Sequence, residues 1–379
     1  MKYWSTLAIW VILLWACGNG APPAPGPAPA STDQQLAPVL DDAPARLRVD
    51  LPSYRLRDAP RADAATLDLL NRGTELTFTG ETSPNAEVIA LRGVRYNEPW
   101  LRVRTATGTE GWVYGGGVSP LRIGNSRTAR AQLGRKLEGL FGRSVSQCIL
   151  NYRDAFTRAA TDAALAEAYT EGRALVNGPV NDYLVQELDY ESLLAEDFRR
   201  PPALDWLSLA LPGFTLGRVA EGTLYQLLED DRQWLEKAIR TEGSADNGYF
   251  RVQTLLYPLD SVAYGYPSYF MQTWDYGGHS NLGSEAHLRI LRAIDAAHSK
   301  GEPFRPALRE LKAALIEDAT TYKSYWQSAE SARTELTTIL AAGLDILTPE
   351  DEIALRTRLD QLRDPAANGL TVDQRNGGE

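Results

Sequence analysis

Cysteine, histidine and methionine are scarce in this chain of 379 residues, at two, three and two copies. Two cysteines allow one disulfide at most, so no cystine framework holds the fold together. The three histidines all fall between 279 and 298. Basic charge is also short: 39 Lys and Arg face 49 Asp and Glu, a net charge of −10. That balance excludes nucleic acid as a partner and argues against adsorption to anionic lipid, because both need clustered cations. Beyond the first fifteen residues there is no apolar run of the ~20 residues that a spanning helix requires.

The chain opens with Lys2 and an almost wholly apolar run from Tyr3 to Trp15. A basic start, a short apolar core and a small residue at the cut describe a secretory signal. Leu14-Trp15-Ala16-Cys17 resembles the bacterial lipoprotein signal. The resemblance implies that residues 1–16 are removed and that Cys17 becomes an acylated first residue, carrying palmitate-type chains. The partner is then a membrane, held through the lipid anchor, and a durable anchor takes more than one chain. Gly18 rather than Asp follows the cysteine. By analogy with sorting signals, this directs the protein to the outer membrane of a cell that has one, facing the periplasm or the cell surface. With Cys17 acylated, Cys148 has no partner in the chain. Its neighbours Ile149 and Leu150 point to a buried, inert thiol, with an intermolecular link or a nucleophile as the alternatives.

Residues 17–45 are rich in Pro and Ala and cannot bury a core, so they are expected as an extended tether. From 46 to 122 the pattern changes to short β runs. Tyr54-Arg-Leu-Arg, Leu76-Thr-Phe-Thr and Trp100-Leu-Arg-Val-Arg alternate with period two between Gly and Pro turns, which predicts a small barrel. Leu76, Phe78, Leu101 and Val103 are its expected interior. The order Leu-Arg-Asp-Ala-Pro, Leu-Leu-Asn-Arg-Gly-Thr-Glu-Leu, Trp-Leu-Arg-Val and Gly-Trp-Val resembles bacterial SH3-like (SH3b) domains. The likeness covers about a fifth of the chain, and Glu81–Pro99 is longer than the hairpin usual there. The resemblance implies a non-catalytic module that binds peptidoglycan or peptides. Trp100 has the opposite parity to Leu101 and Val103. With Tyr54 and Tyr114 it is expected either to border a ligand groove or to cover the barrel's outer face.

From 125 to 363 the chain is acidic and helical in period, which predicts an all-α domain following the all-β barrel. The periodic segments are Arg127–Phe141, Cys148–Leu175, Leu216–Ile239, Ser284–His298 and Pro306–Leu340. Thr348-Pro-Glu-Asp is a helix start, with cap, first-turn proline and acids together. Residues 364–379 are expected as a loose tail.

His279, Glu285 and His287 do not have the spacing of the helical zinc signature, and no metal or other cofactor is expected. The aromatic run from Tyr264 to His279, which includes Asp275, suits either a sugar platform or ordinary packing around a loop, and packing is the commoner case. Cys148 lacks the flanking residues of cell-wall cysteine peptidases. The composite expectation is an envelope-anchored lipoprotein acting as a non-enzymatic binding or scaffold protein for cell-wall material or an envelope partner. The alternative is a peptidoglycan hydrolase using Asp275, His279, Glu285 and His287. The test between them is whether these residues meet in an open cleft.

Overall fold

The computed structural model describes residues 45–375 except 125, 198–200, 220–223, 259–265, 274–276 and 301–302. The signal, the tether, Cys17 and Asp275 lie outside the described residues. The chain divides into two units, one of residues up to 87 with 96–148, the other of 88–95 with 149 onward. The change of unit expected near 125 therefore falls at 148.

In the first unit, seven strands form an antiparallel sheet: β1 Arg46–Val49, β2 Tyr54–Arg57, β3 Thr66–Leu70, β4 Glu75–Leu91, β5 Val94–Arg104, β6 Glu110–Tyr114 and β7 Val118–Pro120. Their order is β3-β2-β6-β5-β4-β1-β7. Alternation sends Leu47, Val49, Leu56, Leu76, Phe78, Leu101, Val103 and Val113 into one core, as the period-two pattern predicts. This is the SH3-like architecture. The long Glu81–Pro99 stretch is strand continued: β4 and β5 run out to a tight turn at Arg92 and Gly93. Both have positive φ, 47° and 75°, as a two-residue hairpin of primed type needs. Between β6 and β7 a single 3-10 turn, Gly115–Gly117, brings the backbone under the rings of Tyr54, Tyr96 and Tyr114. A Cβ on Gly117 would lie 2.1 Å from Tyr54 Cζ, and one on Gly116 2.6 Å from Tyr114 Cε1. No larger residue fits.

Helix α1, Arg127–Arg158, is interrupted at Gly142, whose φ of 75° and ψ of 167° no helix interior allows. Its portion up to 148 belongs to the first unit. Cys148 is half-exposed rather than buried, which corrects the buried-thiol expectation.

The second unit is helical: α2 Asp162–Leu175, α3 Asn181–Gln186, α4 Tyr190–Asp197, α5 Leu207–Ala210, α6 Asp231–Ala238, α7 Ala245–Leu256, α8 Ala286–His298, α9 Arg305–Thr321, α10 Ala329–Ala341 and α11 Pro349–Gln361. Two ribbons interrupt the helices, β8 Phe214–Val219 with β9 Leu224–Glu229, and β10 Phe270–Gln272 with β11 Gly278–Ser280. Half of the helix expected over Leu216–Ile239 is thus a hairpin, and Pro306–Leu340 is two helices with Ser328 capping the second. Aromatic rings fill the core: Trp234 stacks on Phe250 at 5.3 Å and meets Phe156, Tyr169 and Phe214 edge-on. The expected loose tail is tied down as far as Arg375. Thr371 exchanges backbone hydrogen bonds with Lys323 and Tyr325, and Leu370 is buried. No helix among the described residues is long and apolar enough to cross a membrane.

Candidate functional site

Trp100 projects away from the barrel core, as its parity predicts, but it is only 4% exposed and Tyr114 only 3%. The indole Nε1 donates to Glu87 Oε2 at 2.8 Å, the Arg57 guanidinium lies over the ring at 5.9 Å, and Tyr114 meets it edge-on. The Tyr114 hydroxyl donates to the Glu87 carbonyl at 2.6 Å, with the Tyr96 carbonyl also within reach at 2.9 Å, and accepts the Glu98 N–H. Tyr54 is half-buried and donates to the Tyr114 carbonyl at 2.8 Å. The open aromatic groove expected from Trp100, Tyr54 and Tyr114 is therefore corrected: the long β4–β5 hairpin supplies Glu87 as a second layer over the indole. What this face exposes instead is Leu67 and Leu69 on edge strand β3, at 47% and 58%.

Beneath the glycine turn lies a buried charge cluster. Lys136 of α1 donates its Nζ to the carbonyls of Gly116 and Val118, at 3.1 and 2.8 Å, and stands 3.8 Å from Asp50 Oδ2. Asp50 also accepts from Ser119 Oγ at 2.8 Å. Burial holds the lysine below its ordinary range and pushes Asp50 and Glu98 above theirs, against their mutual attraction. Asp50, Glu98, Ser119 and Lys136 are all buried, so the cluster offers no opening to a ligand.

In the second unit the histidines separate. His287 is fully buried and its Nε2 lies 2.8 Å from Asp318 Oδ2. Ser280 Oγ donates to the same carboxylate oxygen, so Ser, His and Asp meet without a serine–histidine bond, and both Ser280 and His287 are sealed from solvent. His279 pairs through Nδ1 with Ser324 at 2.7 Å. Glu285 is exposed in a left-handed conformation at the cap of α8. The carboxylate that serves this helix start is Glu335, which accepts from the N–H groups of Gly283, Glu285 and Leu288 at 2.6 to 3.0 Å. His279, Glu285 and His287 thus do not meet in an open cleft, which corrects the hydrolase arrangement at these three residues. Among the described residues no three His, Cys, Asp or Glu side chains could hold a metal ion. In the aromatic run, Tyr266 stacks on Phe270, which meets Tyr322 edge-on, so these rings pack on one another and on α9's end.

A cleft of about 700 Å³ opens elsewhere in this unit, between α2, α7, α9 and the end of β9. Asn181 clamps the Leu227 backbone through both amide atoms, at 2.8 and 3.2 Å, and so fixes β9. Glu229 at the end of β9 accepts from the Tyr169 hydroxyl at 2.7 Å and pairs with Arg173 Nε at 2.9 Å. Asp230 caps α6, and Asp231, its first helical residue, faces the cleft. Burial, then Glu229, then Asp230, push the Asp231 carboxyl up to about 7. Tyr249 bonds Tyr169 and Gln253, while Tyr257 leaves 39% of its surface exposed at the cleft. None of these residues was singled out by a motif; the signals present were Tyr169 with Arg173, Tyr249 with Gln253, each four apart on a helix, and the acidic run 229–231.

Residues 52–119 match the family model of the bacterial SH3 domain. The chain therefore carries a bacterial SH3-like domain, over less than a fifth of its length, and the helical unit matches no family model. No curated protein and no solved structure matches the chain.

Proposed function

We propose that this protein is an envelope lipoprotein, anchored by acyl chains on Cys17, that uses its SH3-like domain to bind cell-wall material or an envelope partner without catalysis. The observation that carries the reading is the family match over residues 52–119, since bacterial SH3 domains are typically cell-wall-binding modules. The Leu14–Cys17 motif supports the anchor, and the 17–45 tether gives a reach of at most about 85 Å from the bilayer. Charge supports the division of labour. The barrel is near neutral and slightly basic while the chain as a whole is at −10, so the barrel meets an anionic wall polymer with less repulsion. Leu67 and Leu69 on edge strand β3 offer the apolar contact that Trp100 does not, beside unpaired strand edge able to take an extended peptide.

Sedimentation with purified wall sacculi tests the binding. The parent protein is expected to co-sediment, and Leu67→Asp with Leu69→Asp to lose the wall while keeping the parent's melting temperature. A parent that stays in the supernatant sinks the wall reading and turns the search to an envelope protein. The anchor has its own test. Cys17→Ser is expected to leave the membrane fraction or to remain uncleaved, and a variant that fractionates and migrates like the parent overturns lipidation.

A further inference from the structure

We infer that the cleft between α2, α7, α9 and β9 is a saccharide-binding site, separate from the SH3-like domain and independent of whether that domain binds the wall. The lining argues for the ligand class. Arg173 and Arg232 stand against Glu229, Asp231 and Glu310, so the charge is nearly balanced and neither a strong anion nor a strong cation meets a uniform field. What the walls offer in quantity is mixed donors and acceptors: the tyrosine hydroxyls, Gln253, Asn177, Thr254, the carboxylates and the guanidinium groups. A neutral polyhydroxyl ligand uses both kinds, since every hydroxyl donates once and accepts twice.

Geometry adds a stacking face. Tyr169 and Tyr249 are buried with their hydroxyls bonded to each other at 3.3 Å, so they form the floor. Tyr257 is the exposed ring at the cleft, able to lie against a sugar's C–H face. Glu229 is preorganised as an acceptor by Tyr169 and Arg173. Asp231 beside it titrates near neutrality, and a carboxyl that can both donate and accept suits a hydroxyl more than an ion. The volume of about 700 Å³ lies within the range of pockets that enclose small ligands.

The experiment is calorimetric titration of the full chain with an N-acetylglucosamine tetramer, with a lysine tetrapeptide and inorganic phosphate as cationic and anionic probes. The saccharide is expected to bind and the two ions not to. Tyr257→Ala and Glu310→Gln, both at exposed positions, are expected to weaken saccharide binding roughly three- to tenfold with unchanged melting temperature. Preference for the lysine peptide or phosphate over the saccharide overturns the ligand class. Saccharide binding that neither variant weakens overturns the location. The double Leu67→Asp, Leu69→Asp variant separates the two readings. Lost sacculus binding with intact saccharide titration belongs to the barrel, and the reverse pattern for Tyr257→Ala belongs to the cleft.

Discussion

Replacing Lys136 by Met removes an ammonium and keeps the aliphatic stem. In the folded protein that ammonium is fully enclosed, donating to the carbonyls of Gly116 in the glycine turn and Val118 in β7 and facing Asp50 at 3.8 Å. Its loss leaves two carbonyls short of a donor and an enclosed carboxylate with only the partly exposed Arg48, 3.7 Å away, as its close counter-charge. Breaking a buried pair from one side costs about 3–5 kcal/mol. The cost carries a pH signature. Burial already raises Asp50 above 3.8, and Lys136 is the foremost influence holding it down. Without the lysine the folded carboxyl binds its proton more tightly than the unfolded one. The variant's deficit is therefore smallest near pH 4, where only the unsatisfied carbonyls remain, and grows as pH rises toward the new folded value. Adding Asp50→Asn removes the stranded charge, so the double variant is expected to recover about half of the loss at pH 8. Hydrogen exchange on peptides covering 96–120 reads the opening of this unit directly, without assuming that the whole chain unfolds in one step. Protection in Lys136→Met equal to the parent's at pH 8, or a deficit that does not change between pH 5 and pH 8, would refute the buried cluster.

Three further outcomes are expected. Asp231→Asn stabilises the helical unit at pH 8 and not at pH 4, because a carboxyl raised from 3.8 to about 7 binds more protons folded than unfolded and loses stability as pH climbs through that window. The ceiling is ~4 kcal/mol, cut to about 2 by partial exposure, and denaturation at the two pH values measures it. Glu335→Ala costs about 3 kcal/mol by stripping the acceptor from three backbone N–H groups at the start of α8, and Glu335→Gln costs less; a melt indistinguishable from the parent's for the alanine would remove Glu335 as the cap. Trp100→Ala costs ~3–5 kcal/mol, as much as Leu101→Ala at ~2–5, since both side chains are enclosed; thermal melts of the pair check it, and a Trp100→Ala protein as stable as the parent would restore an open groove.

The barrel was largely legible because its determinants are local. Period-two alternation placed Leu76, Phe78, Leu101 and Val103 inside, and each is buried there. Parity also turned Trp100 away from the core. It could not say what covers that outer side, because Glu87 and Arg57 come from strands elsewhere in the sequence. The same limit applies to the tail, whose backbone partners at Lys323 and Tyr325 lie nearly fifty residues back. Over Leu216–Ile239 the apolar spacing fitted a helix as well as a hairpin. Gly217, where a Cβ would strike Leu228 Cδ1 at 2.5 Å, belongs to the close approach of two strands.

The polar sites separate along the same line. His287 finds Asp318 thirty-one residues on, and Glu335 serves a helix start about fifty residues before it, so neither relation leaves a spacing to read. The cleft is different, because part of it is written locally. Tyr169 and Arg173, and Tyr249 and Gln253, share a face on their own helices, and Glu229, Asp230 and Asp231 straddle a strand end and a helix start. A run of three acids is ordinarily a solvated stretch. Here the fold divides it by function: Asp230 turns back to cap α6, Glu229 is bound by Tyr169 and Arg173, and Asp231 faces the cleft, where burial first and then two neighbouring charges hold its proton on. The sequence feature that separates such a run from a solvated one is its company. Aromatic residues from two helices can close over it only if the strand delivers it to the interior, and that delivery depends on the Asn181 clamp on Leu227.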